Sequence, residues 1–477
     1  MTSPVRQHDT ESIRSKIREG FLLENKHLNS KGDLKGLSLF MMGGALFSMH
    51  FGASSMVFPM NWGKESGTSV WLAFLGAFVT SLLLTLLAYI ALARGKGTYN
   101  GIVKKALPET GLFYTNLTII VLGPLYAIPR MSAAAWDAIR QATDWNPDSR
   151  IPIILFSIVY YVVTYWFLMN PGKTMDRISN ILFPFLICIV IIVIAKGLIS
   201  PIATPMEKTY ASSAFAYGFT EGYSTAEILC ALTFGIVILN SLREKGVSEG
   251  RMNMNIIKVG IVGIGMLTCT HLGHMLIGAY TGGTIDLNYV SLYTAVAFKL
   301  LGGVGGTLFA GALLLASLTT AIGMTSATAE FFVDAFDGRL KYKHVALAIL
   351  GLSTVIGCLG MADIMTYFAP ILDMVYPAAI VLVLYYTFMP DCLNPRRLNM
   401  CRWGMLVALL FGLFDAIHAY NLLFGMNLSL FETFYNILPL SAAKLAWVPW
   451  SIVGLVLGYL AYRGEQGSAV EQSTTAQ

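Results

Sequence analysis

The sequence predicts an all-α polytopic membrane protein of about twelve transmembrane helices, two of them broken at mid-depth. Three observations carry that reading. Of the 477 residues, 55% are hydrophobic and only 12% charged, against about 25% charged in an ordinary soluble domain. Apolar runs of roughly 20 residues, enough to cross a bilayer, recur along the whole chain. Two of these runs, the first and the sixth, are interrupted at their centres by glycine, hydroxyl and charged residues, which leave backbone groups unpaired at bilayer depth unless something polar meets them.

The spans fall at about residues 37–62, 68–93, 112–140, 151–170, 177–199, 211–240, 255–280, 303–330, 343–361, 364–389, 403–425 and 443–463. The loops between them check the count. One alternate set, from the N-terminal tail through Lys104 and Lys105, Arg243 and Lys245, and Arg396 and Arg397 to Arg463, holds about 24 of the 32 Lys and Arg residues. The other set holds Lys64, Arg140, Arg150, Lys196, Lys208, Lys299 and Lys444. Positive charge concentrates in the cytoplasm, so both termini are expected there.

Residues 1–35 form a polar tail without the apolar core of a secretory signal, so the first apolar segment stays as a span. Within the tail, Ile13, Ile17, Phe21 and Leu22 have the spacing of a short amphipathic helix on the inner leaflet, or belong to a disordered segment. The first span then reads Phe51-Gly52-Ala53-Ser54-Ser55-Met56-Val57-Phe58-Pro59, an interruption of small residues followed by proline. The third is long and carries Gly123-Pro124-Leu125-Tyr126-Ala127-Ile128-Pro129-Arg130. A guanidinium there pairs with Glu221 or Asp137, gates the outer vestibule, or touches a substrate carboxylate; an ion pair is the favoured role.

The sixth span is interrupted by Tyr217-Gly218-Phe219-Thr220-Glu221-Gly222-Tyr223-Ser224-Thr225-Ala226-Glu227. A carboxylate at membrane depth is costly unless it is paired or faces water, and so marks a functional position. Spans one and six are five apart and run in opposite directions. Matching breaks of that kind point to an inverted-repeat secondary transporter with its site at the midplane. The halves are residues 36–200 and 201–390, followed by two further spans (391–463) and a polar tail (464–477).

In span eight, Ala316, Thr319 and Thr320 share one helical face. Two hydroxyls and a carbonyl suit a hard monovalent cation whose other ligands are carbonyls freed at the first break, around Ser48 and Phe51. The alternative is that the hydroxyls bond their own helix. His50 reads as a packed neutral histidine rather than a proton sensor. His271 and His274 lack a third metal ligand, and the six cysteines show neither a disulfide framework nor a metal spacing. Kinase, P-loop and Rossmann signatures are absent, no soluble stretch is large enough for an ATPase, and neither an enzyme nor a nucleic-acid partner is expected.

Several of these stretches resemble the branched-chain amino acid:cation symporter family: Phe51-Gly52-Ala53 with Phe58-Pro59, residues 123–130, Glu221-Gly222-Tyr223-Ser224-Thr225, residues 234–238 and Leu318-Thr319-Thr320-Ala321-Ile322-Gly323. They follow the family's order across spans one to eight. The resemblance implies a LeuT-type fold, five-plus-five inverted repeat with two extra helices. By motif it implies substrate contacts at Gly52, Ala53, Ser54, Ser55, Tyr126, Glu221, Gly222, Tyr223, Ser224 and Thr225. The implied Na⁺ ligands are Ser48, Phe51, Ala316, Thr319 and Thr320. Three departures stand out: Ser54-Ser55 replaces the usual glycine-asparagine, His50 an apolar residue, and Glu227 an aspartate.

The expectation is therefore a carrier in the bacterial inner membrane that imports a hydrophobic, branched-chain-like amino acid with Na⁺ by alternating access, without a cofactor. A H⁺-coupled exchanger or exporter, using Glu221, Glu227 or His50, is the nearest alternative. A transport-dead amino acid sensor is another, disfavoured by tails with no recognisable output domain.

Overall fold

The structure is a computed structural model that describes residues 32–169 and 173–462, the side chains of 173–184 and 234 excepted. The expected amphipathic segment between Glu11 and Lys26 and the tail from residue 464 lie outside the described residues. The regular structure among the described residues is helical throughout, as expected.

Span one is two helices, α1 (Gly36–His50) and α2 (Ala53–Ser66). Span two runs through α3 (Val70–Ala77), a π-helical turn (Phe78–Leu83) and α4 (Leu84–Gly95). A short helix, α5 (Tyr99–Ala106), precedes span three, which is α6 (Gly111–Ile120), a second π-helical stretch (Val121–Ala127) and α7 (Ile128–Thr143). Spans four and five are α8 (Ile151–Met169) and α9 (Lys173–Ile199). Span six is α10 (Ala214–Glu221), a 3₁₀ turn (Gly222–Thr225) and α11 (Glu227–Glu244). Then follow α12 (Glu249–Ala279), α13 (Tyr289–Ala335), α14 (Tyr342–Gly357), α15 (Met361–Phe388), α16 (Pro395–Phe424), α17 (Ser429–Ile437) and α18 (Trp447–Leu460).

Among the described residues, eight helical stretches are long and apolar enough to cross a membrane, and four shorter apolar ones accompany them. One of the eight, Ala53–Gly95, holds the second half of span one together with span two. Dividing it at Gly67, which has a left-handed φ of 48°, and joining its first part to α1 recovers the twelve expected spans. The extra piece lies ahead of span eight: α13 begins at Tyr289 and bends at Gly302 (φ 74°, ψ −177°), where the sequence reading had placed a loop.

Contacts between helix ends and loops follow the charge alternation. On the charge-poor side Lys64 donates to the Leu287 carbonyl at 2.9 Å, Thr209 N–H to the Glu65 carbonyl at 2.9 Å, and Arg150 pairs with Asp363 at 2.9 Å. On the charge-rich side Arg94 donates to the Met389 carbonyl at 2.7 Å, and Lys258 pairs with Asp33 at 2.7 Å. Each of these contacts joins two segments, loops or helix ends, that the charge pattern assigns to the same set.

Spans one and six are held by close backbone packing. A β-carbon on Gly63 would lie 1.9 Å from the Met275 carbonyl oxygen, and one on Gly278 would lie 1.9 Å from that of Met60, so α2 and α12 cross at glycine. Gly76 and Gly218 do the same for α3 and α10. Small residues let membrane helices approach this closely and gain dispersion and polar contacts in place of a hydrophobic drive.

Candidate functional site

The break in span one comes at Phe51 and Gly52. Phe51 N–H still bonds the Phe47 carbonyl (2.7 Å), Gly52 then takes an extended conformation (φ −109°, ψ −174°), and α2 starts anew at Ala53. Gly52 has room here, because a β-carbon would meet only the Thr320 side chain, Oγ1 at 3.6 Å and Cγ2 at 3.8 Å. Among the described residues no side chain caps α2. The N–H groups of Ala53, Ser54 and Ser55 therefore lack helical acceptors and give this end a partial positive charge. Pro59 sits within α2 rather than at the break.

The break in span six is closed by other means. Glu221 ends α10, Gly222–Thr225 makes one 3₁₀ turn, and Ala226 is left-handed (φ 57°) ahead of α11. A non-glycine residue there costs about 1–3 kcal/mol and persists only where its surroundings impose it. They do so through span two and span three. Thr80 Oγ1 donates to the Phe219 carbonyl (2.8 Å), and Ser81 Oγ to that of Gly222 (3.2 Å). Ser224 Oγ donates to the Glu221 carbonyl (2.7 Å), and the Ser224 carbonyl accepts from both Tyr126 (3.1 Å) and Arg130 (3.0 Å). A β-carbon on Gly222 would lie 2.1 Å from Thr80 Oγ1, so glycine is required by contact with the π-helical turn.

Two cavities flank this junction. A vestibule of about 340 Å³ on the charge-poor side is lined by Glu221, Ser224, Tyr217, Tyr289, Asp373 and Lys444 among others. Its volume lies in the roughly 300–1,000 Å³ range of small-molecule sites. Lys444 bonds Asp373 at 3.1 Å, and that carboxylate holds the ammonium above its ordinary pKa. An inner cavity of about 100 Å³ is lined by residues 48–55, Arg130, Thr225, Glu227 and Thr320, with Leu122, Met131 and Met324 as apolar walls. The Ser224 carbonyl, with the Tyr126 and Arg130 groups on it, stands between them.

The expected Arg130–Glu221 ion pair is not formed. Arg130, 1% exposed, donates to a backbone carbonyl and lies 3.8 Å over the Tyr126 ring and 4.9 Å over that of Phe58. Asp137, the other partner considered, faces Arg140 instead (3.9 Å). A carbonyl freed by a broken helix carries enough partial negative charge to take a guanidinium, and Glu221 is left on the far side of that carbonyl, in the vestibule. Glu227, in contrast, is fully engaged. One carboxylate oxygen accepts from Ser55 Oγ (2.7 Å), the other bonds His50 Nδ1, and His50 Nε2 meets Tyr89 at 2.7 Å. His50 ends α1 and Glu227 begins α11, so each side chain sits where its charged form suits the helix dipole.

Of the sequence-derived substrate candidates, Gly52, Ala53, Ser54, Ser55 and Thr225 share the inner cavity, whereas Glu221 and Ser224 face the vestibule. Tyr126 and Gly222 serve the junction, and Tyr223 stacks on Tyr376 at 4.5 Å. Of the cation candidates, Ser48, Phe51 and Thr320 line the inner cavity. The Ser48 hydroxyl bonds Gly44 (2.8 Å), and that of Thr319 bonds the Ala316 carbonyl (2.9 Å), so those two are turned onto their own helices. Thr80, Ser81 and Tyr89 were missed, although the adjacent hydroxyls in the middle of span two were a visible signal. No group of three or more metal-binding side chains is found among the described residues.

A family model described as "Branched-chain amino acid transport protein" matches residues 35–464. The chain is 30% identical over 426 residues to the branched-chain amino acid permease BraB of Bacillus subtilis, covering 88% of this chain and 94% of the relative. It is 29% identical over 434 residues to the branched-chain amino acid permease BrnQ of Escherichia coli K12, covering 90% and 96%. Among solved structures, the inward-facing conformation of Mhp1 superposes with a TM-score of 0.58 at 11% identity, over 88% of this chain and 89% of that one. MhsT in complex with L-phenylalanine does so with 0.51 at 16% identity, over 79% and 98%. These two likenesses are of fold.

Proposed function

The chain belongs to the branched-chain amino acid transport family, and from that premise we propose that it carries a hydrophobic amino acid across the bacterial inner membrane with Na⁺, by alternating access, with both termini in the cytoplasm. The observation that carries the reading is the inner cavity, where an uncapped helix start and apolar walls meet between two broken helices. The N–H groups of Ala53, Ser54 and Ser55 suit a carboxylate. The side chain of a branched amino acid suits Leu122, Met131 and Met324. Na⁺ takes oxygens, and the Thr320 hydroxyl with the carbonyls freed at the end of α1 offers them at one cavity wall. Binding of both solutes favours the occluded state by their differential affinity for it, and the ion gradient sets direction.

Counterflow of labelled leucine in proteoliposomes, with and without Na⁺ and at two pH values, tests this. Na⁺-stimulated counterflow is expected. Counterflow that ignores Na⁺ and rises with acidity replaces Na⁺ with H⁺, and absent counterflow in liposomes that retain leucine binding leaves the sensor reading.

A further inference from the structure

Arg130 is the most deeply buried cation of the described bilayer region, and its interactions account for only part of it. NH1 donates to the Ser224 carbonyl at 3.0 Å, with Met365 Sδ a distant second at 4.0 Å. Nε is buried and finds no partner among the described residues. NH2 makes no hydrogen bond among them either, and no carboxylate among the described residues lies within ion-pair distance; Asp137 is taken by Arg140 and Glu227 by His50 and Ser55. The rings of Tyr126 and Phe58 stabilise the charge without using the N–H donors. Buried donors are paired as a rule, and an unpaired one calls for a ligand.

Nε and NH2 together make the side-on fork of a guanidinium, the geometry that takes a carboxylate through two parallel bonds. Arg130 lines the same cavity as residues 52–55, where the N–H groups at the start of α2 also lack acceptors. We infer that Arg130 is a substrate-binding residue: its Nε/NH2 fork holds the carboxylate of the amino acid against the start of α2, while NH1 stays on the Ser224 carbonyl. This deepens the function proposed above and rests on it. It also gives the carboxylate a mechanical role. Through one guanidinium, the bound substrate ties the break in span one to the break in span six. A solute without a carboxylate fills the cavity and makes no such tie.

The test is competition binding to purified protein in detergent, with labelled leucine displaced by leucine or by leucinol, which keeps the ammonium and side chain and lacks the carboxylate. Wild type is expected to favour leucine over leucinol by roughly a hundredfold or more, the worth of a charge-assisted bidentate contact plus helix N–H bonds. Arg130→Met should lower that ratio by roughly ten- to a hundredfold, because leucine loses the contact and leucinol never had it. A ratio is insensitive to the fraction of protein that folds. Should Arg130→Met not be recovered folded, Arg130→Lys keeps a cation but loses the fork, and its ratio should still fall about tenfold. A ratio unchanged from wild type in the folded variant overturns the assignment and leaves the proposed carrier intact. Wild-type protein that binds no leucine overturns the carrier itself.

Discussion

In span six the carbonyls of Phe219, Glu221, Gly222 and Ser224 are each taken, by Thr80, Ser224, Ser81 and the Tyr126–Arg130 pair respectively. In span one the N–H groups of Ala53, Ser54 and Ser55 are left open among the described residues, and Ser55, which reaches back, shares its hydroxyl proton between the His50 carbonyl (2.5 Å) and Glu227. Both interruptions are rich in glycine and hydroxyl residues. One is stitched to its neighbours and the other opens on a cavity. Interrupted membrane helices thus serve two ends, a rigid frame and a binding surface, and the partners supplied by the neighbouring spans decide which.

The largest expected effect separates the two glycines. Gly222→Ala places a methyl 2.1 Å from Thr80 Oγ1 in a closed junction, whereas Gly52→Ala places one 3.6 Å from Thr320 Oγ1 beside open space. Overpacking of the first kind costs about 1–3 kcal/mol. Gly222→Ala should lower the thermal midpoint and the yield of monodisperse protein, and Gly52→Ala should leave both near wild type while weakening leucine binding. Equal stability losses in the two variants would erase the contrast.

The next effect concerns the ion. Thr320 lines the inner cavity, and the Thr319 hydroxyl is spent on the Ala316 carbonyl. Thr320→Val should raise the Na⁺ concentration for half-maximal uptake by roughly five- to a hundredfold, the loss of one ligand worth about 1–3 kcal/mol. Thr319→Ala should shift it less. The reverse order would move the cation to another face of α13.

A smaller number tests the correction at Arg130. Because Glu221 lies in the vestibule and Arg130 on the Ser224 carbonyl, Glu221→Gln and Arg130→Met should act independently, coupling by less than about 0.5 kcal/mol in a double-mutant cycle of stability. A paired Arg130 and Glu221 would show rescue in the double variant.

Legibility followed the backbone more than the side chains. Glycine, serine and proline in span one, and two glutamates in span six, betrayed both breaks because bilayer depth makes such residues costly. Charge alternation gave the span count for the same reason. Partner choice was hidden. The expectation of a carboxylate beside Arg130 arises because a sequence displays formal charges and not the partial charge of a carbonyl that a break sets free. Thr80 and Ser81 passed unnoticed because most hydroxyls in apolar helices bond their own carbonyls, as Thr85, Thr115 and Thr118 do here. His50 and Glu227 lie 177 positions apart, and nothing local in the sequence joins them.

The smallest effect lies away from both breaks and serves as their control. Lys258 bonds Asp33 at the entry to α1 and holds that carboxyl below its ordinary pKa. A depressed carboxylate stabilises the fold above its unfolded value, near 3.9, and that contribution is lost as pH falls through the folded value. Asp33→Asn should therefore differ from wild type by a constant, small amount between pH 5 and 8, converging only in acid. A difference that varies across neutral pH would point to a titrating group elsewhere.

Occupancy of the span-one break by the amino acid is the claim on which the rest depends, and alkylation of Ser54→Cys measures it. Ser54 lines the inner cavity, as does Cys230, so the six native cysteines are first replaced. Saturating leucine should slow labelling of Ser54→Cys by a polar thiol reagent, while a cysteine at Asp363, in the first turn of α15 where it meets Arg150, should react at the same rate with or without leucine. Labelling of Ser54→Cys that leucine leaves unchanged, in protein shown to bind leucine, would place the substrate elsewhere and contradict the account.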